Sequence, residues 1–339
     1  MTTMISNIGD SGEKTNDMFR RVLFEPARYN DGLRILSGYT SSSMAKRHMD
    51  DLEKEYGSIN IDLIYGMTPS DGVPWVDHMG FKELTKEKKG FTCSYIMVNR
   101  MPCHAKLYIW TRNGVPTKAF MGSANYSQNS FYNVTKSELM IECDPQEANA
   151  FYERFSGETV YCDHDEVEDM VNIGSKRQVQ NKIDDSCTGL ETFLVKDRLR
   201  LSLLSSKGEM LDRGSLNWGQ REKRDRNQAY IPIQRPIGEK IVKEGFFPPK
   251  GTVFTAITDD GFTMYFKAAG NDNEDPVAKQ LETSNDNSVL GSYFRMRIGA
   301  ESGEYVTKEM LERYGRTNVD FVNLGDGTYY MDFSVKPKK

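Results

Sequence analysis

A histidine and a lysine two residues apart, His104 and Lys106, precede the run Gly122-Ser123-Ala124-Asn125, which begins sixteen residues after the lysine. No other feature constrains the local fold as strongly. Leu107, Tyr108, Ile109 and Trp110 are apolar, β-branched or aromatic, which predicts a strand. Side chains alternate along a strand, so His104 and Lys106 are expected on one face. Thr117 to Met121 predicts a second strand that runs into Gly122, with a hairpin turn around Asn113-Gly114-Val115-Pro116. Such a hairpin places Ser123 and Asn125 beside the His/Lys face, and a glycine where strand meets loop lets backbone approach a ligand closely. A histidine can act as nucleophile, and a lysine, a hydroxyl and an amide can hold phosphoryl oxygens. The set is a kit for attacking a phosphodiester.

The rest of the composition narrows the class. At 339 residues, with 38% hydrophobic and 27% charged residues, the chain is expected to form two globular domains. No apolar run approaches the roughly 20 residues needed to span a bilayer, and Met1 to Lys14 lacks a signal-peptide core. A cytoplasmic, bacterial-type protein without membrane partners is the simplest reading. Five cysteines without paired spacing argue against a disulfide framework, and the absence of Cys-x-x-Cys argues against structural zinc. Cys162-Asp163-His164-Asp165 reads as a solvated acidic loop, so no metal site is expected. His48, His78 and His164 read as structural or surface residues. The net charge of −5 hides an asymmetry: residues 1–175 carry 18 basic and 25 acidic side chains, and residues 176–339 carry 26 and 24. The second half is therefore the expected nucleic-acid surface.

Along the chain, residues 1–18 read as a loose arm. Leu33–Tyr39, Ile59–Tyr65, Phe91–Val98 and Leu139–Ile141 read as strands. Ser41–Tyr56, capped by Ser42 or Ser43, Val76–Lys86 and Pro145–Phe155 read as helices. Gly66–Gly72 reads as a loop. Strands alternating with helices give an α/β domain with a mixed sheet. Residues 157–190 are acidic and polar and read as an interdomain region. From Phe193 the texture changes to short strands between turn residues: Arg198–Leu204, Ala229–Ile233, Thr252–Thr258, Thr263–Ala268, Ser292–Ile298 and Tyr329–Phe333, with one helix at Thr307–Tyr314. The expected division is 1–175, a linker at 176–192, and a mainly β, barrel-like domain at 193–339.

Within the second half, Asn217, Trp218, Gln220, Arg221 and Arg224 combine an aromatic with side chains able to make bidentate contacts to base edges. A solvated charged loop is the plainer alternative. Ser292, Tyr293, Arg295 and Arg297 form the second candidate surface. Alternation on a strand puts both arginines on one face, where they could equally pair with Glu301 or Glu304.

His104, Lys106, Gly122, Ser123 and Asn125 resemble the core motif of the phospholipase D superfamily, His-x-Lys followed by Gly-Ser-x-Asn. The family often has an aspartate five residues after the lysine, where this chain has Thr111. The resemblance implies that Glu138, after the Gly-Ser-x-Asn turn, supports the histidine. With the stretch from Asn217 to Arg221 and Ala229-Tyr230-Ile231-Pro232-Ile233, most of the chain resembles restriction endonucleases in which a phospholipase D-like nuclease precedes a B3-like DNA-recognition pseudobarrel. That implies double-stranded DNA as partner, read in the major groove by two arms matching the two stretches around Trp218 and Arg295. It also implies phosphodiester cleavage through a phosphohistidine without metal. The mechanism needs a second histidine as general acid, and the chain has one His-x-Lys motif, so a homodimer is expected to complete the site. Gly12-Glu13-Lys14-Thr15 lacks the adjacency of a phosphate-binding loop. Any ATP use must come from a separate helicase-type ATPase. Two rival readings are a lipid phosphodiesterase on the same residues and an inactive sequence-specific DNA-binding regulator.

Overall fold

Asn113 and Gly114 both adopt left-handed backbone, at φ of 51° and 77°. Two such residues make the tight turn whose twist matches that of paired strands. They join Lys106–Arg112 to Val115–Gly122 as an antiparallel hairpin, with Tyr108 opposite Phe120. Val115 and Pro116 belong to the second strand and not to the turn. The computed structural model describes residues 4–9, 11–132, 134, 136–174, 193–195, 197–270, 274–284 and 286–335. The chain divides into two compact units, Met1–Lys176 and Arg177–Lys339. The expected linker at 176–192 lies outside the described residues.

The first unit runs β1 (Met4–Ser6), β2 (Gly32–Ser37), α1 (Ser42–Tyr56), β3 (Asn60–Tyr65), α2 (Trp75–Glu87), β4 (Phe91–Ile96), β5 (Lys106–Arg112), β6 (Val115–Gly122), β7 (Leu139–Cys143), α3 (Pro145–Glu153) and β8 (Thr159–Tyr161). The sheet order is β1-β7-β6-β5-β2-β3-β4-β8. β2, β3 and β4 are parallel, joined through α1 and α2, and the remaining pairs are antiparallel. Strands buried on both faces read as nearly continuous apolar runs, as Leu33, Ile35 and Leu36 do in β2. One face packs Tyr108, Trp110, Phe81, Phe91 and Phe120 under α1 and α2. The other packs Leu36, Ile64, Leu107 and Ile109 with Ala148 and Tyr152 of α3. Each fully buried side chain of this size contributes about 1.5–3 kcal/mol.

Four expectations need correction in this unit. The N-terminal arm supplies an edge strand, Met4 pairing with Ile141, and buries Ile5 and Met18. The helix cap is Ser41, whose side chain accepts from Met44 N–H, while Ser42 bonds Asp77 instead. The Gly66–Gly72 segment contains a helical turn, Thr68–Asp71. Residues 159–161, read as interdomain, pair with β4, and Ile173 bridges to Val73.

The second unit runs β9 (Phe193–Val195), β10 (Arg198–Ser202), β11 (Ile231–Pro232), α4 (Arg235–Glu244), β12 (Val253–Thr258), β13 (Thr263–Ala269), β14 (Gln280–Thr283), α5 (Asn287–Ile298), α6 (Lys308–Tyr314), β15 (Asn318–Gly325) and β16 (Thr328–Asp332). Its strands form a barrel-like sheet ordered β11-β14-β13-β12-β16-β15-β10-β9, in which only the β12–β16 pair is parallel. Leu199, Leu201, Phe254, Phe266, Phe321 and Met331 fill it. The expected strand Ser292–Ile298 is the second half of helix α5. Asp286 caps the helix by accepting from Ser288 N–H, Gly299 ends it at φ 72°, and Leu290 and Phe294 bury one helical turn apart. Two caps and a buried helical stripe override the β-type alternation of Tyr293 to Arg297. Helix α4 was not expected, although Pro236 at its first turn and Gly245 at its end are ordinary boundary signals.

Candidate active site

Three strand ends converge at one edge of the first sheet. Lys106 opens β5 opposite Ser37, the last residue of β2, and Gly122 closes β6 opposite Met140 of β7. His104 precedes β5 rather than lying on it. Its segment is held from both sides: Cys103 N–H donates to Gly66 O at 2.9 Å, and Gly38 N–H donates to Ala105 O at 3.0 Å. Both partners are glycines for steric reasons. A Cβ on Gly66 would sit 2.1 Å from Cys103 O, and one on Gly38 would sit 2.9 Å from His104 Cδ2. A Cβ on Gly122 would likewise meet Leu139 O at 2.1 Å.

The motif side chains are brought together. Lys106 Nζ lies 3.2 and 3.1 Å from His104 Nδ1 and Nε2 and donates to His104 O at 2.6 Å. Lys106 is buried, and burial lowers its pKa while Glu138 pulls it the other way. His104 itself is exposed. Ser123 N–H donates to Leu139 O, and its Oγ accepts from Leu139 N–H at 3.0 Å and donates to the Glu138 carboxylate. Asn125 Oδ1 accepts from Tyr39 N–H at 3.2 Å, which leaves the amide NH2 as a donor. Behind the turn, Tyr108 OH donates to Ala124 O at 2.8 Å and Tyr126 N–H donates to Ser37 Oγ at 2.9 Å. A cation, a hydroxyl and an amide therefore line one edge beside an exposed imidazole, the arrangement that stabilises charge on non-bridging phosphoryl oxygens.

Two neighbouring residues are placed as follows. Within one copy of the chain Glu138 accepts from Ser123, and its charge raises the Lys106 pKa. Thr111 is buried at the far end of β5 opposite Gly32, so the side chain five residues after the lysine does not reach the site. Sequence reasoning also missed Ser37, Gly38, Tyr39 and Asp71. The Tyr39 ring meets the His104 ring edge-on, centroids 5.7 Å apart, and Tyr39 OH donates to Asp71 Oδ2 at 2.5 Å. These contacts span tens of residues and leave no trace in spacing. Among the described residues no group of three His, Cys, Asp or Glu is placed to hold a metal ion.

The DNA-reading candidates separate into buried and exposed sets. Asn217 is fully buried; its amide donates to Leu211 O and Val306 O and accepts from Val306 N–H. Gln220 donates to Gly303 O at 3.0 Å. Trp218 is half-buried, edge-on to Tyr230, with the Arg224 guanidinium 3.9 Å above its ring. Arg295 is buried and donates to Glu304 O, Gly291 O and Leu216 O. Arg297 makes a two-pronged pair with Asp259, at 2.9 and 2.8 Å, beside Tyr293, which is buried. Asn217, Tyr293, Arg295 and Arg297 are thus committed to the fold: polar groups placed in a core must find partners there. Arg221, Arg224 and Ser292 remain exposed, and Arg221 and Arg224 belong to an exposed run with Lys223 and Arg226.

An α/β nuclease fold carrying this motif, followed by a barrel-like DNA-binding unit, defines a phospholipase D-type DNA endonuclease. Residues 16–169 match the NgoFVII restriction endonuclease N-terminal PLD domain, and residues 193–325 match the NgoFVII C-terminal B3-like DNA-binding domain. The chain belongs to this family of phospholipase D-like restriction endonucleases. No curated protein sequence matches it. Among solved structures, it is similar to NucT from Helicobacter pylori (14% identity, 48% of this chain and 99% of that one, TM-score 0.34). It is also similar to Nuc, a phospholipase D family member from Salmonella typhimurium (13%, 48% and 98%, TM-score 0.33). Polyphosphate kinase from Porphyromonas gingivalis matches at 15% identity over 47% of this chain and 23% of that one, with TM-score 0.30.

Proposed function

We propose that this endonuclease cuts duplex DNA at a specific sequence through a covalent phosphohistidine on His104. The imidazole nitrogen attacks phosphorus, the P–O bond to one nucleotide breaks, and the departing oxygen takes a proton. Water then attacks the phosphohistidine, releasing the second DNA end and restoring His104. This splits one displacement into two easier ones. Lys106 and Asn125 stabilise the phosphoryl oxygens in both steps, and the Ser123 hydroxyl joins them when its hydrogen turns from Glu138 to the bound phosphate. The observation that supports this most directly is the Lys106 ammonium lying against both ring nitrogens of His104, beside the Ser123–Glu138 pair. In this reading the proton donor is the His104 of a second copy in a homodimer, and no metal takes part. ATP enters only through a separate helicase-type ATPase. Recognition falls to the second unit, with the exposed basic run from Arg221 to Arg226 as its phosphate- or base-contacting arm. The test is plasmid digestion in EDTA, with and without a partner ATPase, by the wild-type protein and His104→Ala, beside a gel shift. Cleavage by the wild type alone, with binding kept in the variant, is expected. Cutting by His104→Ala overturns the proposal.

A further inference from the structure

The nucleophile needs an orienting partner, and Glu138, the carboxylate expected to supply it, is bonded to Ser123. A second aromatic side chain lies against His104. The Tyr39 ring stands edge-on to the imidazole, 5.7 Å between centroids and 78° between planes. Tyr39 is fixed in three ways. Its carbonyl accepts from Ser37 Oγ at 2.6 Å, its N–H donates to Asn125 Oδ1, and its phenol donates to Asp71 Oδ2. The same residue therefore touches the nucleophile with its ring and aims the Asn125 amide with its backbone. Asp71 is exposed at the end of the Thr68–Asp71 turn, and its carboxylate accepts from the Tyr39 phenol. A tyrosine held so firmly while 38% exposed is not there to fill a core.

We propose that Tyr39, tethered by Asp71, is the positioning residue for His104, locking the imidazole at the angle from which it attacks phosphorus. This rests on His104 being the nucleophile. Imidazole orientation matters because a misplacement of about 1 Å in a reacting group costs on the order of 10²-fold in rate. Removal of the ring frees His104 to rotate about its side-chain bonds. Removal of the phenol hydroxyl or of the Asp71 carboxylate frees Tyr39 and transmits a smaller looseness to the same ring.

The experiment is steady-state and quenched-flow cleavage, by the full chain and four variants with His104→Ala alongside, of a short duplex that carries a cut site mapped by sequencing the ends from the plasmid digestion. Tyr39→Leu is expected to lower kcat and the rate of phosphoenzyme formation by roughly 10- to 100-fold, with KM within about twofold of wild type. Tyr39→Phe restores the ring and should recover most of that loss. Asp71→Ala should match Tyr39→Phe, and the double variant Tyr39→Phe with Asp71→Ala should be no worse than either, since both cut one tether. Wild-type kcat in Tyr39→Leu, or additive losses in the double variant, overturns the inference. If Tyr39→Leu does not fold, Tyr39→Phe and Asp71→Ala decide by their non-additivity. Cleavage by His104→Ala overturns the nucleophile assignment itself. Loss in His104→Ala with full kcat in Tyr39→Leu overturns only the positioning role.

Discussion

His48 offers a test of how the first unit holds the sheet edge that carries the motif. It is fully buried in α1, and its two ring nitrogens have fixed partners. Nε2 faces Leu23 O at 2.7 Å, and a carbonyl only accepts, so Nε2 carries the hydrogen. Nδ1 then accepts from Tyr126 OH at 2.8 Å. The neutral imidazole satisfies both bonds, and Tyr126 directly follows Asn125 of the motif. Burial lowers the His48 pKa to about 4, opposed by the bond to Leu23. In the unfolded chain the ring titrates near 6.5. Because the folded value is the depressed one, the unfolded chain takes up the proton first. Stability is complete above pH 6.5, falls as pH drops toward 4, and levels off below. Linkage puts the loss from His48 at about 2 kcal/mol between pH 7 and pH 5 and about 3 kcal/mol in full. The assay is urea unfolding at pH 7 and pH 5 in a Trp218→Phe background, so that fluorescence reports Trp75 and Trp110 of the first unit. His48→Gln should be less stable at pH 7, yet its stability should change with pH by about 2 kcal/mol less than that of the parent. An unchanged pH dependence in His48→Gln would refute the neutral, buried assignment.

Other outcomes follow from the same contacts. Gly38→Ala drives a methyl into His104 Cδ2 and should cut kcat by about 10²-fold in a folded protein that still shifts DNA; wild-type cleavage would mean that the approach is not tight. Arg297→Ala strands Asp259 in the core of the second unit and should cost about 3–5 kcal/mol in urea unfolding; a change under 1 kcal/mol would return Arg297 to the DNA-contact candidates. Arg221→Ala should leave stability unchanged, weaken DNA binding, and, if it loses one phosphate, reduce the slope of log K against log salt by about 0.9. Cleavage in EDTA should match cleavage in magnesium, and loss in EDTA restored by magnesium alone would contradict the metal-free mechanism.

The hairpin that carries the motif was legible because its signals are local. Alternation, an Asn-Gly turn and a strand-end glycine each act within a few residues, and together they place Lys106, Ser123 and Asn125 on adjacent strand ends. The orientation of His104 was not legible, because Gly38, Tyr39 and Gly66 reach it from other strands. The Ser123–Glu138 bond was not legible for the same reason. The sequence position of Glu138 put it at the start of β7, while only the β6–β7 pairing puts Ser123 within reach of its carboxylate.

In the second unit the barrel-like fold was legible, but the burial of Asn217 and Arg295 and the pairing of Arg297 with Asp259 were not, for a different physical reason. Asn, Gln, Arg and Trp are the residues that read DNA, and they are also the residues best able to satisfy backbone groups in irregular core segments. The segment from Gly214 to Gln228 has one short 3-10 helix, Ser215–Gln220, and is otherwise irregular, so the backbone packed against it needs side-chain partners, and Asn217, Gln220 and Asn227 supply them to the backbone of Val306 and Gly303. Arg295 does the same for three carbonyls at once, one of them Glu304 O. The alternative weighed from sequence, pairing with Glu304, named the right residue but the wrong group, a side chain in place of a backbone carbonyl. What separates a base-reading arginine from a scaffolding one is therefore burial, and burial depends on whether the segment is strand or helix. Read as a strand, Tyr293–Arg297 presents both arginines outward; wound into α5 between Asp286 and Gly299, the same residues turn Arg295 into the core, while Arg221, Lys223, Arg224 and Arg226 stay exposed.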